Sequence, residues 1–351
     1  MIERPNFYDF SRTQLEEHLL AMGHKKFRAQ QLFRWVYALG ETDPEKMTNL
    51  SKDFRKDIPS LFRFDLPKIV DHRISQIDGT QKFLMDVGDG QSVEAVLIPS
   101  ADRLTLCVSS QVGCNMACKF CYTGKQKLKK RLSVGQIVGQ FIQASSVLQE
   151  PMRITNIVFM GMGEPLDNIE GVFPAIEVLH DSHGINFSRK KITVSTSGLV
   201  DRIHLISESG TRLAVSLNGA DNDTRTKVMP INKKWPIEEL LDACRKHYEM
   251  TRDRITFEYV LLKDVTDSLE DARKLYRLTK SVPCKINIIP FNEHPGSGFY
   301  RPSEKAIVRF QDELMRLGAH VLRRKTMGRD IYAACGQLTT AAKQEAAQAA
   351  T

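Results

Sequence analysis

The first part of the chain carries apolar residues at helical spacing. In SRTQLEEHLLAMG and KKFRAQQLFRWVYALG they recur every three or four positions, and Gly23 and Gly40 are suitable helix ends. The second segment mixes basic with aromatic residues, which suits a packed core as well as contact with nucleic acid. We therefore predict a helical accessory domain over residues 1–65 and expect it to bind RNA.

Two extended segments follow the helical part. KFLMDVGD and QSVEAVLIPS are rich in residues that favour strands, and the turn sequence Gly88-Asp89-Gly90 separates them. Two strands joined by a short glycine-containing turn form a hairpin. We predict a β-hairpin extension over residues 66–100, placed between the accessory domain and the rest of the chain.

From residue 103 the pattern alternates between strands and helices. Six strand-like segments are RLTLCVSS, ITNIVFMG, KKITVSTSG, TRLAVSLN, RITFEYVLL and CKINIIPFN. Helical patterns follow them at 133–149, 168–180, 199–208, 236–250, 268–280 and 303–317. Such alternation predicts a parallel sheet, and six units are too few for the closed eight-stranded barrel. We predict an α/β fold with a partial (β/α)6 barrel over 101–338 and a disordered tail at 339–351.

Composition excludes several other classes of protein. The chain has 351 residues, of which 42% are hydrophobic and 26% charged, the balance of a soluble globular protein. No apolar run is long enough for a membrane span, and MIERPNFYDFSRT lacks the apolar core of a signal peptide. We expect a cytoplasmic protein with no membrane partner. Its seven cysteines should then be reduced and serve metal binding or catalysis.

The formal charge of +8 is concentrated in short basic groups. The densest are KQKLKKR (125–131), SRKK (188–191), NKKW (232–235) and RRK (323–325). One lysine run is usually a solvated surface. Four such groups on a basic chain indicate a polyanionic partner such as RNA about as strongly as they indicate solvated surfaces.

Polar motifs follow the predicted strands. The loop after the first strand holds three cysteines, and GMGEP (161–165), STSG (195–198), SLN (216–218) and PFN (290–292) follow the second, third, fourth and sixth strands. In βα barrels the catalytic residues gather where strands end and loops begin. The coincidence of several motifs with strand ends therefore predicts one shared site.

The cysteine loop is the most specific of these motifs. Cys114, Cys118 and Cys121, with Phe120 before the third, suit a [4Fe–4S] cluster that leaves one iron open. A zinc site completed by Cys107 or a histidine is the alternative, although no second CxxC or HxxxH lies nearby. The loop resembles the signature of the radical S-adenosylmethionine (SAM) enzymes. The resemblance implies that the amino and carboxylate groups of SAM occupy the fourth iron and that a 5′-deoxyadenosyl radical forms.

A longer series of motifs narrows the resemblance. VEAVLIP, TLCVSSQVGC, FMGMGEPL, STSG, MPIN, NIIPFNEHPGSGF and AACGQL, in this order, are similar to the family that methylates C2 of adenosine in RNA. The similarity covers essentially the whole chain. It implies 23S ribosomal RNA at the peptidyl-transferase centre as substrate, together with the tRNA adenosine just 3′ of the anticodon. We also expect a monomer and an electron donor such as flavodoxin.

The same resemblance assigns three further roles. Cys335 is expected to carry a methyl group from a first SAM, and the radical then removes hydrogen from that group so that it adds to C2. Cys107 is expected to release the product by forming a disulfide with Cys335. Glu94 is expected to accept the C2 proton, a role that a carboxylate with a raised pKa in an apolar segment would suit.

The SAM contacts implied by the resemblance are Gly163, Glu164, Ser195, Ser216, Leu217, Asn218 and Asn292. Many family members have His where this chain has Asn218. Tyr122 is bulkier than the residue often found after the third cysteine and could crowd the cofactor. Cys244 and Cys284 are interpreted as small hydrophobic residues.

Two alternatives remain open at this point. One is the related group that methylates C8 of the same ribosomal adenosine, against which GMGEP rather than GMGEA and the NIIPFNEHPGSGF segment argue. The other is a zinc-stabilised RNA-binding protein without catalysis.

Overall fold

The computed structural model describes residues 4–339, so the predicted tail at 339–351 lies outside the described residues except for Thr339. Three helices form the N-terminal part: α1 (Arg12–Ala21), α2 (Lys26–Tyr37) and α3 (Lys52–Leu61). Ser11 caps α1 and Ser51 caps α3, because each hydroxyl accepts a hydrogen bond from a backbone N–H of the first turn. Phe33 and Phe54 are fully buried between the helices, so much of the aromatic content of this part is core.

Twelve strands form within residues 4–339. They are β1 (Lys68–Ile74), β2 (Gln81–Asp86), β3 (Ser92–Ser100), β4 (Arg103–Cys107), β5 (Gln111–Val112), β6 (Lys130–Arg131), β7 (Asn156–Phe159), β8 (Ile192–Thr196), β9 (Arg212–Ser216), β10 (Ile255–Leu261), β11 (Cys284–Pro290) and β12 (Val321–Arg323). Ten of them make one sheet in the order β1-β2-β3-β4-β7-β8-β9-β10-β11-β12, while β5 and β6 pair separately. Because β1 and β12 are edges, the sheet is open, as predicted.

The six predicted barrel strands are β4 and β7 to β11, and each is parallel to the next. The predicted hairpin is also confirmed, since β2 and β3 pair antiparallel. The sequence analysis missed the two edge strands. In β1 exposed residues alternate with partly buried ones, so it lacks a clear apolar face, and β12 is only three residues long. Since β3 pairs with β4, the hairpin continues the barrel sheet. One sheet thus crosses residue 100, and the domain boundaries at 65 and 100 stay predictions.

Seven helices accompany the parallel strands. They are α4 (Val134–Ser146), α5 (Ile169–His180), α6 (Ile203–Ser209), α7 (Asn222–Val228), α8 (Ile237–Thr251), α9 (Leu269–Thr279) and α10 (Glu304–Arg316). All but α7 were predicted. The six predicted helices each bury an apolar face, as with Leu275 of α9 and Phe310 of α10, both fully buried. α7 escaped prediction because NDTRTKV has a single apolar residue, Val228.

Among the described residues, no helix combines the length and the apolar character that crossing a bilayer would require.

The N-terminal helices are packed against the barrel through α4. Asp9 accepts a hydrogen bond from the backbone N–H of Gly135 at 2.9 Å. A Cβ on Gly135 would meet Tyr8 at 2.8 Å, and one on Gly139 would collide with Pro67. These two glycines bring α4 close to the preceding chain, so this contact depends on the absence of side chains there.

We predict that Gly139→Ala lowers the free energy of unfolding by about 1–3 kcal/mol, because the added methyl overlaps Pro67. Alanine favours helices by about 1 kcal/mol over glycine, so propensity alone predicts the opposite sign. Ser145→Ala on the same helix is the control and should be neutral or slightly stabilising. Denaturant titration measures both, and a more stable Gly139→Ala protein would contradict the packing argument.

Candidate active site at the carboxyl ends of the parallel strands

Two cavities share a wall where the parallel strands end, and the larger extends from there to the amino ends of β4 and β7. The smaller, here the cysteine cavity, has a volume of about 160 Å³ and is lined by the cysteine loop and the loops after β7, β8, β9 and β11. The larger, here the basic cavity, has a volume of about 1100 Å³. Both include Met160, Asn292, Arg324 and Cys335 in their walls, so these residues stand at the junction.

The three cysteines of the loop line the cysteine cavity together. Gly124 permits this arrangement, because a Cβ there would meet the carbonyl oxygen of Cys118 at 2.7 Å. Burial raises the pKa of the Cys114 thiol to about 12 and raises that of Cys118 well above its ordinary value of 9.0. The charges of the neighbouring thiols add to both shifts. Metal ligation requires the thiolate form, so a bound metal would stabilise as thiolates three neighbouring thiols whose pKa values are raised.

The donor set fits an iron–sulfur cluster bound with a polar cofactor. Within residues 4–339 no three His, Cys, Asp or Glu side chains converge on one point, as ligands of a single metal ion do. Thiols spread along a cavity wall suit a cluster, in which separate irons take separate thiolates. The same cavity contains Asn292 Oδ1, a buried atom without a hydrogen-bond partner in the described structure. A polar ligand would satisfy it.

Glu164 occupies the centre of the predicted SAM site. It is buried, and its carboxylate accepts hydrogen bonds from the backbone N–H groups of Ser197 at 2.7 Å and Leu166 at 3.2 Å. Burial raises the pKa of Glu164, while these hydrogen bonds oppose the rise. An ionised carboxylate has further lone pairs, so it can still accept from a cofactor ammonium.

Most of the other predicted SAM contacts also line the cysteine cavity: Gly163, Ser195, Ser216, Asn218 and Asn292. Leu217 does not, because it is fully buried behind that wall. Both polar atoms of the Asn218 side-chain amide are hydrogen-bonded within the protein. Its Oδ1 accepts from the Val260 N–H at 2.8 Å and its Nδ2 donates to the Met229 sulfur at 3.3 Å.

Tyr122 does not line the cysteine cavity. Its ring lies on His294, with ring centroids 5.0 Å apart, and its backbone N–H donates to Gly336 at 2.7 Å. The crowding of the cofactor by Tyr122 stays a prediction. Cys244 is fully buried in the core, as interpreted from its sequence position, whereas Cys284 is only partly buried.

Cys107 and Cys335, which are far apart in sequence, both line the basic cavity. Both thiols are free. Burial raises the pKa of the Cys107 thiol to about 12, and the nearby Cys335 thiol adds to the rise. Cys335 also lines the cysteine cavity, whereas Cys107 does not. Cys335 is thus the cysteine that can face both cavities.

Two residues of this junction were missed by the sequence analysis. Arg324 donates to the Met160 sulfur at 3.5 Å, and the Cys335 thiol, Glu258 and the Cys107 thiol raise its pKa. Glu258 lines the cysteine cavity at 3.9 Å from Arg324 and accepts from the Asn287 amide at 3.0 Å. Glu258 could have been predicted, because a glutamate inside the apolar strand RITFEYVLL is unusual. Arg324 could not, because nothing in the sequence distinguishes it from its neighbours in the RRK group.

Glu94 lies outside the walls of both cavities. It is buried in an ion pair with Lys82 at 3.0 Å, and its other oxygen accepts from the Thr339 N–H at 2.8 Å. Burial raises the pKa of Glu94, and the Lys82 ammonium opposes that rise. Leu338, the neighbour of Thr339, lines the basic cavity, so the end of the described chain covers Glu94.

The C-terminal segment (residues 328–339) carries Cys335 and is fastened from two sides. On the sheet side, Asp78 accepts from the Gly328 N–H at 2.9 Å and Lys82 donates to the Tyr332 carbonyl at 3.3 Å. On the cysteine-loop side, the Thr123 hydroxyl donates to the Leu338 carbonyl at 2.7 Å. These contacts fix where Cys335 meets the two cavities.

The basic groups identified in the sequence have different fates. Lys130 and Arg131 pair with Asp89 and Asp167 at 2.7 and 3.0 Å, and Lys190 pairs with Asp253. In the RRK group Arg323 and Arg324 contact Glu304 and Glu258, and Lys325 has no such pair within residues 4–339. The whole group lines the basic cavity, whose wall contains five basic and two acidic side chains: Arg103, Arg153, Arg323, Arg324, Lys325, Asp78 and Asp102. This cavity is therefore the most suitable opening for a polyanion.

Comparison with known proteins agrees with this geometry. The model of the radical SAM superfamily matches residues 108–276, and that of the ribosomal RNA large subunit methyltransferase N-terminal domain matches residues 5–63. The crystal structure of a radical SAM methyltransferase from Sphaerobacter thermophilus superposes with a TM-score of 0.89 at 40% identity, over 96% of this chain and 99% of that one. Fold and site together define a radical SAM methyltransferase.

Curated relatives specify the family. The dual-specificity RNA methyltransferase RlmN of Bdellovibrio bacteriovorus is 62% identical over 95% of this chain and 84% of its own length. The protein of that name from Geobacter sulfurreducens is 47% identical over 93% of this chain and 89% of its own length. The chain therefore belongs to the RlmN family of radical SAM RNA methyltransferases. Enzymes of this superfamily use a [4Fe–4S] cluster and SAM.

We predict that Lys82→Met lowers the free energy of unfolding relative to wild type, and that the loss grows as pH rises. It leaves Glu94 buried without its cation, which raises the pKa of that carboxyl further. A carboxyl with a raised folded-state pKa stabilises the fold below its ordinary pKa of 4.5 and loses that contribution as pH rises through the folded value. The loss relative to wild type should be about 3–5 kcal/mol at about pH 8 and smaller at about pH 5.

Denaturant unfolding at the two pH values measures this difference. The double variant Lys82→Met/Glu94→Gln has no charge to bury, so its stability relative to wild type should change much less with pH. Lys130→Met, which removes the exposed pair with Asp89, should cost little at either pH. An equal loss for Lys82→Met at both values would show that the Lys82 stem, rather than the charge of Glu94, is what matters.

Proposed function

We propose that this enzyme methylates C2 of adenosine in 23S ribosomal RNA, at the peptidyl-transferase centre, and in tRNA just 3′ of the anticodon. The name dual-specificity RNA methyltransferase, carried by both relatives above, supports two RNA substrates. The observation that carries the proposal is the meeting of Cys107 and Cys335 in one cavity wall beside the cysteine cavity. A methyl transfer through the protein needs one cysteine to carry carbon and another to release it.

The residues of the chain divide the reaction between them. Cys114, Cys118 and Cys121 would hold the cluster, and the lining residues of the cysteine cavity would hold SAM. When bound, these groups supply a methyl group and a radical that removes a hydrogen atom. Cys335 carries the methyl group, and after hydrogen loss the carbon bonds to C2, which is too electron-poor for polar methyl transfer.

Release of the product is assigned to Cys107. After the adduct loses the C2 proton and one electron, which the bound cluster would accept, the Cys107 thiolate attacks the sulfur of Cys335. The bond between that sulfur and the transferred carbon breaks, and the carbon takes up a proton to complete the methyl group. The two residues are left as a disulfide that a reductant must reopen. Arg324 lies beside both thiols, so its cation favours the thiolate form during this attack.

Glu94 is assigned the role of proton acceptor, and its surroundings place a condition on that role. One carboxylate oxygen is paired with Lys82 and the other accepts from Thr339. Glu94 can therefore approach an adenine bound in the basic cavity only when residues 338–339 move away from its carboxylate. Burial raises the pKa of Glu94, which makes it a better proton acceptor than an exposed carboxylate.

RNA would enter through the basic cavity. Arg153 and Lys325 are exposed in its wall and form no ion pair within residues 4–339, so both are free to contact phosphate. The helical N-terminal part, which matches a ribosomal RNA methyltransferase domain, would add a second contact surface. We further propose a monomer in the cytoplasm that receives electrons from a flavodoxin-like donor.

The cysteine assignment predicts a trapped intermediate. Cys107→Ala should still accept the methyl group and join RNA, but remain covalently attached to it through Cys335. A protein–RNA adduct on a denaturing gel should appear for Cys107→Ala and be absent for Cys107→Ala/Cys335→Ala. Wild-type enzyme should instead yield 2-methyladenosine, detected by mass spectrometry of digested RNA.

Other outcomes identify the alternatives. Formation of 8-methyladenosine would assign the enzyme to the C8-methylating group. Protein that contains zinc in place of iron and sulfide, and forms no methylated adenosine, would be the non-catalytic RNA-binding protein. Normal turnover by Cys107→Ala would remove Cys107 from the mechanism even if the methylated base were confirmed.

The basic cavity predicts a defined salt dependence. Arg153→Ala/Lys325→Ala should weaken tRNA binding and lower the slope of log affinity against log salt by about two, since each lost phosphate contact lowers it by about one. Fluorescence anisotropy at several salt concentrations measures the slope. Lys246→Ala, which removes a lysine paired with Asp242 on α8, is the control and should leave it unchanged. An unchanged slope in the double variant would place RNA elsewhere.

A further inference from the structure

Arg225 is a fully buried arginine that the proposed mechanism does not use. It lies on α7, directly behind the cysteine cavity. Its guanidinium donates to the carbonyl oxygens of Leu217 at 2.9 Å and Ser197 at 2.7 Å, and to Asn232 Oδ1 at 2.8 Å. Two of these acceptors belong to the loops after β8 and β9, so Arg225 joins the loops that form the cavity wall.

The positive charge of Arg225 has no carboxylate partner within residues 4–339. Burial lowers its pKa to about 10, which reflects the cost of keeping the charge away from water. The negative groups that oppose this shift are the thiols of Cys118, first, and Cys244. A buried charge without a counter-charge costs several kcal/mol and is rarely retained without one. The group best placed to supply the negative charge is therefore the thiolate of Cys118.

Local sequence makes space for this side chain. A Cβ on Gly219 would lie 2.6 Å from the Cα of Arg225, and one on Gly198 would lie 3.0 Å from its terminal nitrogen. Gly198 closes the STSG motif, and Asn232 closes the MPIN motif. Gly198 and Asn232, to which the mechanism gives no role, thus both help to accommodate Arg225.

A direct connection runs from α7 to the cysteine loop. The backbone N–H of Lys119 donates to the Val228 carbonyl at 2.9 Å. Cys118 and Phe120 pack against a small apolar cluster that contains Val228 and Met229. The end of α7 is therefore held against the middle cysteine of the loop, in a region that excludes water.

We infer that Arg225 is a positioning residue whose charge balances that of the cluster–thiolate unit at Cys118 and raises its reduction potential. The inference rests on the proposed assignment of Cys114, Cys118 and Cys121 as cluster ligands. Reduction adds one negative charge to a unit that is already negative, and a fixed cation in a low-dielectric interior favours that change. Neighbouring charge and hydrogen bonding are the means by which proteins tune such potentials.

Three variants separate charge from hydrogen bonding. Arg225→Gln removes the charge, and Arg225→Lys keeps it while losing the planar fork. Asn232→Asp retains Arg225 but puts a carboxylate at the position of the 2.8 Å acceptor, with loss of the amide hydrogen bonds to Asn222 and Thr226. Arg212→Gln is the matched control, because it removes an exposed arginine at the opposite end of β9.

The measurement is a redox titration of the cluster, followed by electron paramagnetic resonance on the full chain without SAM. Arg225→Gln and Asn232→Asp should make reduction about tenfold less favourable, which is about 59 mV for one electron. Arg225→Lys and Arg212→Gln should stay near wild type. Loss of the cluster from Arg225→Gln and Asn232→Asp, but not from Arg225→Lys, would support the same conclusion because only the lysine variant retains the net charge.

Wild-type potentials in both Arg225→Gln and Asn232→Asp would overturn the inference. An Arg225→Lys protein that behaves like Arg225→Gln would also overturn it, since the hydrogen-bonding fork would then be decisive. A wild-type chain that takes up no iron–sulfur cluster would instead refute the ligand assignment, and the two failures are therefore distinguishable.

Discussion

The hydrogen bonds that hold the C-terminal segment against the cysteine loop are the interaction on which the proposed chemistry depends. Cys335 belongs to no strand or helix, so the βα repeat alone cannot place it. The backbone N–H of Tyr122 donates to Gly336 at 2.7 Å, and the Asn292 amide donates to the Cys335 carbonyl at 3.1 Å. Two loops at the carboxyl ends of strands thus hold the segment by hydrogen bonds at Cys335 and at the next residue, Gly336. Without these hydrogen bonds, nothing would fix the Cys335 thiol at the wall that the cysteine and basic cavities share.

The same end of the barrel concentrates buried charge at a cost to stability. Burial raises the pKa values of Glu94, Glu164 and Glu258, while Arg225 has no acidic partner among the described residues. Ionisable groups with perturbed pKa values cluster where proteins carry out chemistry. Each is tied by hydrogen bonds to backbone or to a neighbouring side chain, so the cost is distributed over the loops that form the site. Glu94 differs because its partners are Lys82 on the sheet extension and the C-terminal segment. The antiparallel extension therefore does more than connect two domains.

Much of the fold could be predicted because strong patterns underlie it. The six barrel strands are short apolar runs followed by polar motifs, and their helices have one apolar face. Elements with weaker patterns were missed: β1 alternates exposed and partly buried residues, β12 has three residues, and α7 has one apolar residue. The predicted SAM contacts mostly line one cavity because the carboxyl ends of consecutive parallel strands lie side by side. Leu217 is the exception. Its neighbours along β9 and the following loop turn towards the cavity, and it packs behind them.

The sequence by itself determined the alternation of strands and helices, the cysteine loop and the order of motifs at strand ends, because these depend on local spacing. Only the tertiary structure decided which charges meet. Lys82 pairs with Glu94 across β2 and β3, Arg324 reaches Glu258 and Cys335 from the last strand, and Arg225 lies behind Cys118. Electrostatic partners are chosen by distance in space and by exclusion of water. Lys82 and Glu94 lie on the two strands of one hairpin, but the partners of Arg324 and Arg225 are separated from them by long stretches of chain, so sequence spacing does not reveal them.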